Sequence, residues 1–242
     1  MADSMYIFSG IERLIRPIIR QAATMAERRT RSPREQPNDH PTRTLIIQSA
    51  ANLLKSVGVA RFHMDDVLAE TGLTRGAVYH HFDNVDDLIE SALLVTFVEG
   101  IGANLEYVSN VAATAKSFDD FRTGILQANV LYATNEGLRA VRKLRAHALA
   151  TATSGGRMAT ALAQQQQLLT DAYAELISEA QSKGWVQQTL APEVLAVFIQ
   201  AYSFGVILDD VSERHIEPQA WARLIADFFD IYVFATDATK HS

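Results

Sequence analysis

The run Thr74-Arg75-Gly76-Ala77-Val78-Tyr79-His80-His81-Phe82 concentrates hydrogen-bonding groups on one short segment. At helical spacing Val78 and Phe82 fall on one inward face, while Arg75, Tyr79, His80 and part of His81 turn outward. A short helix with such a wet face suits the major groove of DNA, about 12 Å wide, where N-terminal residues reach base edges. Arg75 stands near that end, and its planar fork matches the two acceptors of guanine. Gly76 has no side chain, so the backbone can come close to bases or phosphates. Thr74 and the helix N-terminus offer a hydroxyl and N–H donors to a phosphate. Tyr79, His80 and His81 add donors farther along the DNA backbone.

Such a helix works only if neighbouring elements hold it. Met64 to Glu70 reads as another short helix with Asp65 and Asp66 in its first turn, where acids suit the dipole, and Gly72 closes it. Thr74 caps the helix that follows. Upstream, Pro41 opens a longer helix whose Leu45, Ile46, Ala50, Leu53, Leu54 and Val57 form one apolar stripe ended by Gly58. These three helices make a helix-turn-helix arrangement. Asn84 restarts the chain as a long fourth helix with Asp86 and Asp87 in its first turn. Beyond it the periodicity predicts helices at about 85–108, 118–134, 137–152, 157–183, 192–210 and 218–236. Breaks fall at Ser117, Ser154-Gly155-Gly156, Lys183-Gly184 and Glu217-Pro218. No alternating strand pattern competes, so the expected fold class is all-α. Residues 1–40 form an extension and basic linker, 41–90 a helix-turn-helix domain and 91–242 a larger helical domain.

Length and composition bound the chemistry. The chain has 242 residues, of which 48% are hydrophobic and 21% charged, an ordinary globular composition with room for a sizeable core. Cysteine is absent, which excludes disulfides, thiolate zinc sites, iron–sulfur clusters and thiol catalysis. The net charge of −6 divides into +2 over residues 1–40, −3 over 41–90 and −5 over the rest. No segment is a polycation, so recognition of nucleic acid has to rest on where a few positive groups point. Residues 28–41 hold three prolines and no aliphatic side chain, the composition of a linker. Ahead of them Ile7, Phe8, Ile11, Leu14, Ile15, Ile18 and Ile19 recur opposite Arg13, Arg16 and Arg20, with Pro17 as a kink. This amphipathic stretch fits a membrane surface, an accessory helix, or sequence upstream of a start at Met25. The acids and arginines that interrupt it do not fit a signal peptide. The apolar stretch Val194 to Leu208 falls short of the roughly 20 residues of a membrane span. A cytoplasmic location with no membrane partner is the expectation.

Residues 43–94, above all Gly72-Leu73-Thr74-Arg75-Gly76-Ala77-Val78-Tyr79-His80-His81-Phe82, resemble the DNA-binding domain of the TetR family of bacterial transcriptional regulators. Also in register are the Ile-Ile-Gln-Ser-Ala-Ala-Asn-Leu-Leu helix, Gly58, the Asp-Asp-Val at 65–67, and Leu88. The resemblance implies a homodimer of helical subunits on double-stranded, palindromic operator DNA. It further implies a C-terminal domain that binds a small-molecule inducer and dimerises through its last two helices, with repression the commoner mode. Position by position it implies phosphate contacts from His63, Thr74, Tyr79, His80 and His81, and base reading by Arg75 with Gly76 and Ala77 nearby. Two features depart from the family. Val85 stands where a phosphate-clamping Lys is common, and Leu68 and Thr71 where alanines are common. Arg28, Arg29, Arg31 and Arg34 fit either a minor-groove arm or a solvated tail.

Residues 91–242 carry no phosphate loop, nucleophile elbow or His-Glu-x-x-His, so no catalytic residue, metal or cofactor is expected. Candidate inducer-pocket residues are Phe97, Asn104, Tyr107, Phe121, Tyr132, His147 and Tyr173. The run Arg139, Arg142, Lys143, Arg145 fits a solvated helix face better than an anion site. The two C-terminal helices are more apolar than one buried face requires, which suggests a partner helix pair. Phe198, Ala201, Tyr202, Gly205, Trp221, Phe228, Phe229 and Tyr232 are the candidate dimer residues, with Ala201 and Gly205 four apart to admit close approach. Rival readings are a helical metal hydrolase using His63, Asp65, His80, His81 and Asp83, and an adaptor that has lost DNA binding. Adjacent helical positions point about 100° apart, so His80 and His81 cannot readily share one metal.

Overall fold

The computed structural model describes residues 39–153 and 156–235. The elements are α1 (Asp39–Val57), a 3-10 turn (Val59–Arg61), α2 (Met64–Thr71), α3 (Arg75–His81), α4 (Val85–Thr114), α5 (Phe118–Thr134) and α6 (Glu136–Thr153). They continue with α7 (Gly156–Ser182), α8 (Pro192–Gly205), α9 (Ile207–Asp210) and α10 (Pro218–Phe228), which runs into a π turn (Phe229–Val233). Among the described residues there is no strand beyond an isolated bridge between Val186 and Phe234. The fold is all-α: a three-helix helix-turn-helix domain followed by a larger helical domain. The N-terminal stretch around Ile7 to Ile19, Met25 and the Arg28, Arg29, Arg31 and Arg34 cluster lie outside the described residues.

Compact packing divides the described residues into two units that do not follow chain order. One gathers residues 39–100 with 140–165, the other 101–139 with 166–235.

In the first unit α1 buries Ile46, Ile47, Ala50, Ala51 and Leu54. The expected stripe is displaced by about a residue: Leu45 is 50% exposed and Ile47 takes its place inside. Val67 of α2, Val78 and Phe82 of the α3 segment and Leu88 of α4 complete this small core. Arg43 of α1 sits over the Phe82 ring at 5.0 Å from its centroid, and Ser49 Oγ donates to Glu70 Oε2 at 2.8 Å. Both contacts fix α1 against the helices that follow. Farther along, Lys55 Nζ pairs with Glu99 Oε2 at 2.6 Å, joining α1 to α4. Residues 140–165 add Leu144, Ala148, Met158, Ala161 and Leu162 to the buried set.

In the second unit α4 runs to Thr114, six residues past the expected end near 108. The β-branched and Asn residues at 108–114 weaken helix propensity, but packing overrides it. Leu105 and Ala112 are buried, and Val111 lies so close to Gly124 of α5 that a Cβ there would come 2.5 Å from Val111 Cγ1. The Ser117 hydroxyl accepts from the Asp120 N–H at 3.2 Å and starts α5. Gly184, at φ 73, turns the chain out of α7. Trp185, Phe121, Phe118, Phe229 and Phe234 then form a continuous aromatic cluster. Arg122 of α5 grips Asp230 of the π turn through two hydrogen bonds of 2.7 and 2.5 Å. The carboxylate holds that guanidinium's pKa above its ordinary value, partly offset by burial.

Two stretches, Val85–Thr114 and Pro192–Asp210, are long and apolar enough to cross a membrane by length and composition. Half of the apolar window in the first is buried inside the protein, against 22% in the second. The length argument made for Val194 to Leu208 alone therefore does not extend to the helical stretch that contains it.

Candidate functional site

Thr74, Arg75 and Gly76 owe their presentation to two turns of helix and their caps. Gly72 ends α2 in the left-handed region at φ 70, a conformation that L side chains rarely adopt, and its N–H donates to the Leu68 carbonyl. Thr74 is extended at φ −82 and its Oγ1 accepts from the Ala77 N–H at 3.2 Å. The hydroxyl proton remains available to a phosphate, because a cap uses only the oxygen. Asn84 Oδ1 accepts from the Asp87 N–H at 2.9 Å, so the start of α4 is fixed as well.

On this frame Arg75, Gly76, Tyr79 and His80 are exposed, Ala77 is half-buried, and His63 at the start of α2 is exposed. The Arg75 guanidinium pairs with Asp65 of α2. An exposed pair of this kind is weak, so the fork can exchange that carboxylate for another acceptor. His81 departs from the expectation of a partly outward side chain. It is 8% exposed because it lies three residues after Val78 and beside Phe82, on the inward face, with its ring edge-on to His80 at 5.2 Å. A phosphate contact from His81 is thereby disfavoured. Among the described residues no three His, Asp or Glu side chains are grouped to hold a metal ion, so the His63, Asp65, His80, His81, Asp83 constellation is not assembled.

The second unit contains a cavity of about 720 Å3, counting the space open at its mouth. Of the residues singled out from sequence, Asn104, Phe121, Tyr132 and Tyr173 line it. Phe97 does not: it is buried in the other unit beneath Arg145, whose guanidinium carbon lies 5.6 Å from the ring centroid. Tyr107 and His147 are exposed and do not line it. Asn129, Tyr202 and Ser203 line the cavity and were missed. Asn129 stands one turn before Tyr132 and four residues after the cavity-lining Ile125, a spacing that could have revealed it. Asn104 donates to the Tyr173 hydroxyl at 2.9 Å, and the Tyr202 hydroxyl donates to Asn129 Oδ1. Burial pushes the Tyr202 phenol above its ordinary pKa, so it stays protonated. Of the cationic run, Arg139 pairs with the buried Asp210 at 3.2 Å and Arg142 is only 2% exposed. It is not the solvated face expected, and it does not line the cavity.

The candidate dimer residues also separate. Phe198 and Tyr232 are exposed, Ala201 is exposed, and Gly205, Trp221 and Phe228 are half-buried. Tyr202 and Phe229 instead turn into the cavity, and Phe229 is buried. Their rings meet edge-on at 6.2 Å between centroids, a contact between α8 and the π turn that periodicity within either element does not reveal. Val194, Val197, Leu224 and Ile231 are exposed apolar residues on the same two elements, at 55 to 69% exposure.

Residues 46–92 match the family model for bacterial regulatory proteins of the tetR family. The HTH-type transcriptional regulator TtgR of Pseudomonas putida is 40% identical over 52 residues, which are 22% of this chain and 25% of that protein. The match thus spans about a quarter of that relative's length. Among solved structures, a Saccharomonospora viridis protein described as a transcriptional regulator, in complex with choline, superposes with a TM-score of 0.62 at 15% identity. The alignment covers 80% of this chain and 98% of that one. A TetR transcriptional regulator of Chloroflexus aurantiacus gives 0.59 at 18% identity, over 83% and 100% of the two chains. At such identities these likenesses show the fold alone.

Proposed function

We propose that the chain, whose helix-turn-helix domain matches the TetR family of bacterial regulatory proteins, is a ligand-responsive transcriptional repressor of that family acting as a homodimer in the cytoplasm. The observation that carries this reading is the capped, two-turn α3, whose outward face leaves Arg75, Gly76, Tyr79 and His80 exposed. Arg75 reads a base edge, while Thr74, Tyr79, His80 and His63 bind phosphates. With Val85 in place of a basic residue, fewer charges hold the backbone. The Arg28, Arg29, Arg31 and Arg34 cluster is proposed to add contacts along the phosphates or in the minor groove.

Two copies are needed because one α3 reads only a half-site. The exposed apolar residues of α8 and α10 supply a self-complementary face. A Cβ at Gly205 would meet nothing within 4 Å, leaving room there for a partner helix. Palindromic half-sites about 34 to 36 Å apart then match the two-fold symmetry. The cavity binds the inducer. Since α4 contributes Asn104, Val108 and Ala112 to the cavity and begins at the Asn84 cap, it is the rod through which a bound molecule alters the reading heads. Operator and inducer then weaken each other by the same factor.

Footprinting on the DNA flanking the protein's own coding sequence tests this directly. A protected palindrome whose binding weakens about 10³ to 10⁵-fold between 50 and 200 mM salt is expected for roughly 6 to 10 phosphate contacts. Absence of any protected site, with the purified chain folded and dimeric, overturns the reading in favour of an adaptor that has lost DNA binding.

A further inference from the structure

We propose that the cavity of the second unit selects an uncharged, largely apolar small molecule, oriented by a single hydrogen-bonding group that reaches one of the amide–phenol pairs Asn129–Tyr202 or Asn104–Tyr173. This rests on the reading that the cavity is the inducer site, and it adds the chemistry of what enters.

None of the residues lining the cavity is Asp, Glu, Lys, Arg or His. Its polar atoms belong to amides and hydroxyls: Asn104, Asn129, Tyr132, Tyr173, Tyr202 and Ser203. Such groups donate and accept hydrogen bonds but cannot compensate a full charge taken out of water. Two of the cations on flanking elements already face a carboxylate of this chain. Arg122 is held by Asp230, and Lys183 pairs with Glu179 at 2.8 Å. Burial keeps the Tyr202 phenol protonated, so no phenolate forms to welcome a cation.

A soft cation could instead be held by ring faces alone. Here, however, the phenylalanines are spent on one another. Phe121 and Phe234 meet at 71° with centroids 6.1 Å apart, and Phe229 packs on Phe234 at 5.5 Å. They form a wall, and a wall favours an apolar body over a caged ammonium. The two amide–phenol pairs each bring two polar side chains together on the cavity wall, so one hydroxyl or carbonyl on the ligand satisfies its orientation at either.

Three probes on one naphthalene core test the proposal by calorimetry on the full chain at pH 7: 2-naphthol, 2-naphthoate and 2-naphthylmethylammonium. The neutral naphthol should bind at least tenfold more tightly than either ion. Ala128→Phe, which fills the cavity, should abolish that binding. One of the two variants Tyr202→Phe and Tyr173→Phe, which keep the volume, should weaken naphthol severalfold while leaving unsubstituted naphthalene unchanged. Either ion binding as tightly as naphthol overturns the proposal, as does a lack of binding by all three. Naphthol affinity unchanged in both tyrosine variants, or naphthalene lost as much as naphthol, also overturns it, and these variants decide the matter if the filled one fails to fold. Each probe is also added to a mobility shift with DNA flanking the coding sequence. Naphthol that binds in the cavity yet leaves DNA affinity unchanged sinks the regulatory reading and leaves the proposal standing. An ion that binds best and releases DNA does the reverse.

Discussion

Arg75 has a partner in the free chain and needs another on DNA. Its pair with Asp65 is solvent-exposed on both sides, so exchanging that carboxylate for a guanine edge costs little. Arg75→Ala should therefore lose about 1 to 3 kcal/mol of operator affinity, and relaxed preference at one base position per half-site should accompany it. Competition binding against a library randomised at each operator position checks both. A uniform loss at every position would instead make Arg75 a phosphate contact. Tyr202 supports a prediction of a different kind. Its folded-state pKa is raised above the ordinary 10.0, so the folded chain holds the phenolic proton more tightly than the unfolded chain does. The resulting stabilisation is complete below about pH 10 and is lost as pH rises through the folded value. Thermal unfolding midpoints measured from pH 8 upward should fall beyond pH 10, and Tyr202→Phe should flatten part of that fall. An unchanged slope in the variant would assign the fall to other tyrosines.

The helices were legible where caps and turn glycines marked them. Gly72, Thr74, Asn84 and Ser117 sit at element ends as expected, because each supplies a conformation or an oxygen that local sequence alone dictates. The end of α4 was not legible, since the reason it continues to Thr114 is the face of α5 packed on it, a partner far away in sequence. For the same reason four of the seven cavity candidates line the cavity, whereas Tyr202 and Phe229 are expected at a partner face and turn inward instead: their facing depends on rings brought beside them from other elements. His81 was misplaced by a smaller margin, because periodicity locates an inward face only to within a residue or so. The α4–α5 contact can be tested at this scale. A Cβ on Gly124 would approach Val111 Cγ1 to 2.5 Å and Cγ2 to 2.9 Å, too near for either methyl to stay in place. Gly124→Ala should cost about 1 to 3 kcal/mol through overpacking, despite the better helix propensity of alanine. Adding Val111→Ala should recover most of it. Chemical denaturation of the single and double variants measures the coupling, and additive losses would mean the two helices do not approach closely in solution.

For the whole molecule the decisive question is what covers α8 and α10. Leu224 is 60% exposed and Val194 69%, and neither is used by the core, so substitution in a lone subunit should change stability by no more than about 0.5 kcal/mol. In a two-fold assembly the same position is buried twice, once in each copy, and a carboxylate there would be stripped of water without a counter-charge. Leu224→Glu should therefore convert the chain from a dimer to a monomer in sedimentation equilibrium while leaving the thermal midpoint of the subunit nearly unchanged. Operator affinity should fall with it, because a monomer holds only one half-site and releases about half of the counterions. The salt dependence of binding should shrink in proportion. The pairing of these readouts matters. A monomer that keeps the full salt slope would mean that the two reading heads are brought together by the DNA and not by this face. An unmodified chain that sediments as a monomer at every concentration would remove the face from the mechanism altogether.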